Sequence, residues 1–409
     1  MSSEPKPWRV LILLSVAELL AMSLWFAGTA VLPHLMKVWQ AELGLASWLT
    51  LAVQLGFVTG ALLSAIFNLA DVFHAPRLVV VSMIAAAAAN AAFALTATDS
   101  VSAAIFFRFL TGLFLAGVYP PAMKILAGWF RQGRGLALGI LVGALGIGSA
   151  VPHGLSALGT ITVDNWKYVV LACSAQALVG AVIVAWLVRE GPFAAPLARF
   201  DIRQVTEIFR NRRLALANLG YFGHMWELYS WWAWIAVFFY AAEAHKPPFA
   251  AHSAEVIEMV SFIAMAMGGI GCTWAGAYSD KSSSESADAR IWQRSKTTII
   301  AMAVSGSSAL LTAVFFHNWY AVVVLALVWG ISISADSAQF SAIVTEVSDR
   351  RYVGTALTLQ TALGFLLTVF SIRVTAFIGH HAGWDWAAAS LAIGPALGII
   401  AMMQLRVRP

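Results

Sequence analysis

Five ionisable residues stand deep inside apolar runs of this sequence: Glu18, Arg108, Glu227, Asp336 and Arg373. A charge at the centre of a bilayer costs about 2.5–3.5 kcal/mol on insertion scales, so such residues normally face a cavity or a partner and mark a transport route. Carboxylates sheltered in a cavity can exchange protons near neutral pH, which makes Glu18, Glu227 and Asp336 candidates for proton coupling. Helical spacing puts His224, Trp231 and Trp234 on the face of Glu227, and Met22 and Trp25 on that of Glu18. Such a face has the composition of a pocket wall, with tryptophans able to stack on a planar solute or hold a cation. The competing reading is a neutral or paired carboxylate that joins spans, with tryptophans facing lipid.

Arg108 and Tyr119 return to one face after three turns, and a guanidinium there suits an oxyanion. A structural pair with Glu18 or Asp336 is the alternative. Asp336 lies in a polar stretch (Ser332, Ser334, Ser337, Gln339, Ser341) that a lipid-facing helix would not tolerate. Gln339 is one turn from Asp336, and Gln360 with Thr361 makes a similar polar spot further on, so these are the next substrate candidates. Arg373 is near enough to a span end to snorkel.

The elements that carry these residues follow from composition. Of 409 residues, 60% are hydrophobic and 11% charged, against about 45–50% and about 25% in soluble domains. A soluble fold is excluded. At roughly 34 residues per span and loop, the length corresponds to about twelve transmembrane helices. Apolar runs fall at 10–36, 47–69, 78–98, 101–125, 135–158, 168–188, 214–241, 255–278, 297–316, 319–343, 352–377 and 384–405. The fold class expected is an all-α membrane protein. Outside the spans, every Lys and Arg except Lys37, Lys167 and Lys246 falls on one side of this topology. The positive-inside rule then places both termini in the cytoplasm, and the expected location is the cell inner membrane. The longest polar break, 189–213, divides a first half at 1–188 from a second at 214–409, and its arginines suit anionic headgroups at the cytoplasmic face. Cys173 and Cys272 both lie in apolar runs and read as core thiols.

The halves echo one another. Glu18 and Glu227, Trp25 and Trp234, and Asp71 and Asp280 each stand 209 residues apart. Two six-span halves related by an axis along the membrane normal form a transporter architecture, with the solute site between them near the midplane. The loop Gly276, Ala277, Tyr278, Ser279, Asp280, Lys281 resembles the cytoplasmic loop signature of the major facilitator superfamily. Arg108 with Thr111 and Gly112 is similar to that family's arginine motif, and the likeness in spans and halves extends over the whole chain. The first-half counterpart of the loop keeps Asp71 but lacks the family's glycines and basic residue. The helix-five motif of family antiporters is retained at Gly139, Gly143 and Gly148 and departs at His153 after Pro152. What the resemblance implies is alternating access, with a cytoplasmic gate in which Asp71, Asp280 and Lys281 pair with Arg131, Arg134, Arg350 and Arg351.

The expected function is a secondary active transporter of a small organic solute, coupled to protons and working as a monomer in the lipid bilayer. The alternative within transport is a facilitator or exchanger of an anion held by Arg108. No enzyme is expected: the histidines make no pair at metal-ligand spacing, and no glycine-rich run ends in the Lys-Ser/Thr of a phosphate cradle. No cofactor, metal or nucleic-acid partner is implied, and a membrane sensor would need an added soluble domain. The acids favour a cation, Arg108 an anion and the tryptophans a flat molecule, so the solute's identity is open.

Overall fold

A computed structural model of the chain describes residues 7–40, 43–67, 69–130, 133–160, 166–193, 210–244, 253–282, 286–348 and 353–405. Among the described residues there are helices and turns and no strands. The principal helices of the first half are α1 (Pro7–Met22), α2 (Leu32–Trp39), α3 (Trp48–Ile66), α4 (Ala75–Thr96), α5 (Val101–Leu115), α6 (Tyr119–Ala127), α7 (Arg134–Leu155) and α8 (Trp166–Leu187). Those of the second half are α9 (Arg212–Glu243), α10 (Ala254–Ala266), α11 (Gly268–Ser279), α12 (Ala287–Val314), α13 (Trp319–Ala335), α14 (Ser337–Val347), α15 (Val353–His381), α16 (Trp384–Leu391) and α17 (Ile393–Gln404).

With interrupted pairs such as α5–α6 taken as one rod, ten rods are long and apolar enough to cross a membrane. Twelve were expected, and the first and seventh account for the difference. The chain leaves the helix after Met22, so α1 has only 16 residues. α9 runs for 32 residues, but Arg212, Arg213, Asn218, His224 and Glu227, with its many tryptophans and tyrosines, dilute its apolar character.

The interruptions have local causes. α5 gives way to α6 just before Pro120 and Pro121, which lack the amide hydrogen an unbroken helix needs. α10 and α11 part at Met267, ahead of Gly268 and Gly269, where low helix propensity weakens the turn. α13 and α14 part at Asp336, beside serines whose hydroxyls compete for backbone carbonyls; Ser332 donates to Val328 O at 3.0 Å and to Trp329 O at 3.1 Å.

Packing follows one pattern twice. In the first half α1 packs on α7 and α8, α3 on α5, and α4 on α8; in the second, α9 packs on α15 and α17, α11 on α13, and α12 on α17. Between the halves, α7 lies along α10 and α11, and α3 lies along α15. Glycine brings the first of these seams close: a Cβ at Gly139 would run into the carbonyl of Cys272, and one at Gly276 into that of Gly135. Small residues of this kind let helix backbones approach where the bilayer offers no hydrophobic drive for association.

Candidate functional site

A cavity of about 1150 Å³ lies between the halves. Its mouth is at the end where α6 finishes and α7, α12 and α15 begin, and Lys124, Arg134, Asp280, Arg290, Arg294 and Glu346 form the rim. Further in, Tyr119, Tyr221, His224, Ser337 and Gln339 make the wall. Leu145, Leu228, Tyr229, Trp232 and Phe365 make the roof.

Above the roof both halves contribute to an aromatic plug. Phe57 meets Phe365 at 4.4 Å between ring centroids, Tyr229 meets Phe365 at 4.8 Å, and Trp25 meets Phe57 at 4.9 Å. Tyr229 also stands edge-on to Trp232 at 5.3 Å. Large rings with few rotamers fill the space between helices and close it to water. The cavity is therefore a one-ended crevice, and the plug is what separates it from the opposite face.

The wall contains a titratable pair. His224 Nδ1 lies 2.8 Å from Asp336 Oδ1, with both side chains 2% exposed, and His224 Nε2 is 3.1 Å from Ser337 Oγ. The carboxylate oxygen is near the imidazole but off the line of a hydrogen bond, so Asp336 Oδ1 has no bonded partner. His224 borders the cavity while Asp336 stands behind it, at the break between α13 and α14. Beside them Gln339 Oε1 accepts from Arg294 Nη1 at 3.0 Å, and Arg294 Nε donates to Glu346 at 3.2 Å. The polar strip thus runs from the rim into the wall.

The sequence profile described as Major Facilitator Superfamily matches residues 13–292. The chain belongs to the major facilitator superfamily. It is accordingly a multi-pass membrane protein of solute transport. A solved structure of similar fold is that of the human organic anion transporter MFSD10 (TETRAN), with a TM-score of 0.69 at 14% identity over 98% of this chain and 100% of that one. Among curated proteins no sequence matches.

Within this superfamily member, the residues singled out in the sequence fall into three groups. Tyr119, His224 and Gln339 line the cavity, as do Arg134 and Asp280 at its rim. Trp25 and Asp336 are one layer back, in the plug and behind His224. Glu227, Trp231, Trp234, Gln360, Glu18 and Arg108 lie outside the lining. Glu227 accepts hydrogen bonds from Trp329 Nε1 at 2.7 Å and Ser305 Oγ at 2.8 Å. Trp231 packs on Trp329 at 5.5 Å, and Trp234 donates to Ile372 O at 3.0 Å. That face of α9 points into its own half. The cavity takes the adjacent stripe instead: Tyr221, Met225, Leu228 and Trp232, at steps of four, three and four residues. The same spacing in the sequence could have found them.

Among the described residues Arg108 bonds carbonyl oxygens rather than an acid. Its Nη1 donates to Leu24 O and to Asn90 Oδ1, each at 2.9 Å, and its Nη2 donates to Trp25 O. Those carbonyls are free because the helix breaks there, between α1 and α2, and a buried carbonyl needs a donor. Asn90 in turn donates to Val170 O at 2.9 Å and Ser174 Oγ at 3.0 Å. The guanidinium is thus a clamp on the broken first span. Glu18 is fully buried with neither oxygen hydrogen-bonded, within electrostatic reach of Tyr119. Gln360 is buried with both amide atoms unbonded, while its neighbour Thr361 lines the cavity.

At the rim Asp280 crosses the seam to take the backbone amides of Gly135 at 3.1 Å and Leu136 at 2.9 Å. A carboxylate at the start of α7 satisfies orphan donors and opposes the helix dipole. Lys281 Nζ lies over the ring of Tyr278, 5.3 Å from its centroid, and Arg134 donates to Ala127 O at 3.0 Å and Phe130 O at 3.3 Å. Arg131, Arg350, Arg351 and the side chain of Asp71 lie outside the described residues.

Proposed function

We propose that this protein is a secondary active transporter of twelve spans that carries a small organic solute across the inner membrane by rocking its halves around the central cavity. With the basic rim in the cytoplasm, as the positive-inside rule requires, the crevice is inward-open. The observation that carries the reading is the cavity between the halves, roofed by aromatic rings from both, with His224 in its wall. The His224–Asp336 pair is the proton site: one member borders the cavity that takes solute and water, and the carboxyl of the other stands 2.8 Å behind the ring. Glu18 and Glu227 are set apart from the lining and stand as secondary coupling candidates. Tyr119 and Gln339 contact the solute, and Asp280 belongs to the cytoplasmic gate.

An anion reading has its own support. Lys124, Arg134, Arg290 and Arg294 outnumber Asp280 and Glu346 at the rim, and the structurally similar MFSD10 is an organic anion transporter. In this reading the anion meets the rim and wall rather than Arg108.

The test is transport in proteoliposomes with and without a pH gradient. Wild type should accumulate solute along the gradient, and Asp336→Asn should lose accumulation while retaining solute exchange. Transport indifferent both to the gradient and to Asp336→Asn would end the coupling claim.

A further inference from the structure

The seam between the halves carries a second titratable contact, far from the cavity. His153 of α7 and Glu258 of α10 meet with Nδ1 and Oε2 2.6 Å apart, and their side chains are 3% and 8% exposed. His153 lies 19 residues from Arg134, which is about 28 Å along α7 at 1.5 Å per residue. The pair therefore sits at the end opposite the mouth, and neither residue lines the cavity. His153 Nε2 has no hydrogen-bond partner. Tyr240 of α9 is hydrogen-bonded to Glu258, and His34 of α2 lies within electrostatic reach of it.

Three features make this contact more than filler. It joins opposite halves, along the seam where α7 and α10 pack. It is short and sheltered, in surroundings of low dielectric where a hydrogen bond is stronger than in water. It is also matched on the other seam, where Arg373 Nη1 of α15 donates to Gly44 O at 3.0 Å and Ser47 Oγ at 3.3 Å. Both seams are thus fastened at the end the cavity does not reach.

We infer that His153 and Glu258 form a latch that holds the outer face shut while the cavity is open to the cytoplasm, and that parts when the outer face opens. This rests on the alternating-access reading above. Loss of either partner removes this contact between the halves, while the Tyr240–Glu258 bond stays within the second half, so the inward-open state loses the cross-seam stabilisation whichever is changed. The open state, in which both groups meet water, is left untouched.

The experiment uses the full chain in lipid nanodiscs, with Cys173 and Cys272 replaced. Spin labels are placed at positions 99 and 386 to report the outer face, and at 77 and 287 to report the inner. His153→Gln and Glu258→Gln should each raise the ratio of outward-open to inward-open molecules at least threefold. The double variant should do no more than either single one, since interacting partners are non-additive. The exchanged pair His153→Glu with Glu258→His should return the ratio toward wild type. A wild-type equilibrium that the single variants leave unchanged, or effects that multiply in the double variant, would overturn the latch alone. A wild-type protein with no outward-open distance, in every variant as well, would overturn both the latch and alternating access.

Discussion

Arg108→Lys separates a structural guanidinium from a solute-binding one. The arginine serves three acceptors, Leu24 O, Trp25 O and Asn90 Oδ1, from a rigid planar fork. An ammonium on a shorter, flexible stem keeps the charge and cannot span all three. It reaches one of them, and two buried acceptors are then left without a donor, at about 1–3 kcal/mol each. Interhelical hydrogen bonds in membranes average only about 0.6 kcal/mol, which pulls the sum toward its lower end. A loss of about 2–4 kcal/mol follows from these two constraints. Domains of 150–250 residues lose about 2–4 °C per kcal/mol, so the apparent melting temperature in detergent should fall by about 5–15 °C. Apparent affinity for organic anions, measured on the folded fraction, should stay within about twofold of wild type, because the cavity lining omits Arg108. An Arg108→Lys protein that melts like wild type yet no longer binds anions would refute the clamp.

Other expectations concern packing and the plug. Glu227→Leu strips Trp329 Nε1 of its acceptor, while Ser305 Oγ keeps Met302 O at 3.3 Å, and should cost about 1–3 kcal/mol for the orphaned indole donor, seen as earlier thermal unfolding; Glu227→Gln should cost less. Gly139→Val drives a branched side chain into the Cys272 carbonyl across the seam and should destabilise by about 1–3 kcal/mol, with an unchanged melting curve counting against the seam as described. Phe365→Ala removes the ring shared by Phe57, Trp25 and Tyr229. Its predicted result is labelling of a cysteine at Leu228 from the outer face, where the intact plug blocks it.

The fold was largely legible because a bilayer leaves few solutions. Apolar runs with short basic breaks locate the rods, and ten of them are long and apolar enough to cross. The breaks inside them were not, since hydropathy does not distinguish a continuous helix from one interrupted at Met22 or Asp336. That omission misassigned the partner of Arg108: an acid was sought, whereas the break had freed two carbonyls. The site was legible in part for a related reason. Spacing puts His224, Glu227, Trp231 and Trp234 on one face of α9, but does not show that His224, at its edge, borders the cavity while the other three turn into the second half. Adjacent residues on a helix are about 100° apart, so moving from Glu227 to Leu228 changes the view from the second half's interior to the cavity. His153 was visible as a departure from a family pattern, and its meaning emerged only with Glu258 opposite.

The central claim is a crevice between the halves that opens at the basic end, and sided thiol labelling tests it most directly. Cysteines placed at Ser337 and Leu357, both in the lining, can be probed in a background where Cys173 and Cys272 are buried. A membrane-impermeant maleimide should modify both in inside-out vesicles, and a solute that occupies the cavity should protect them. Modification confined to right-side-out cells, or none from either side, would contradict the account.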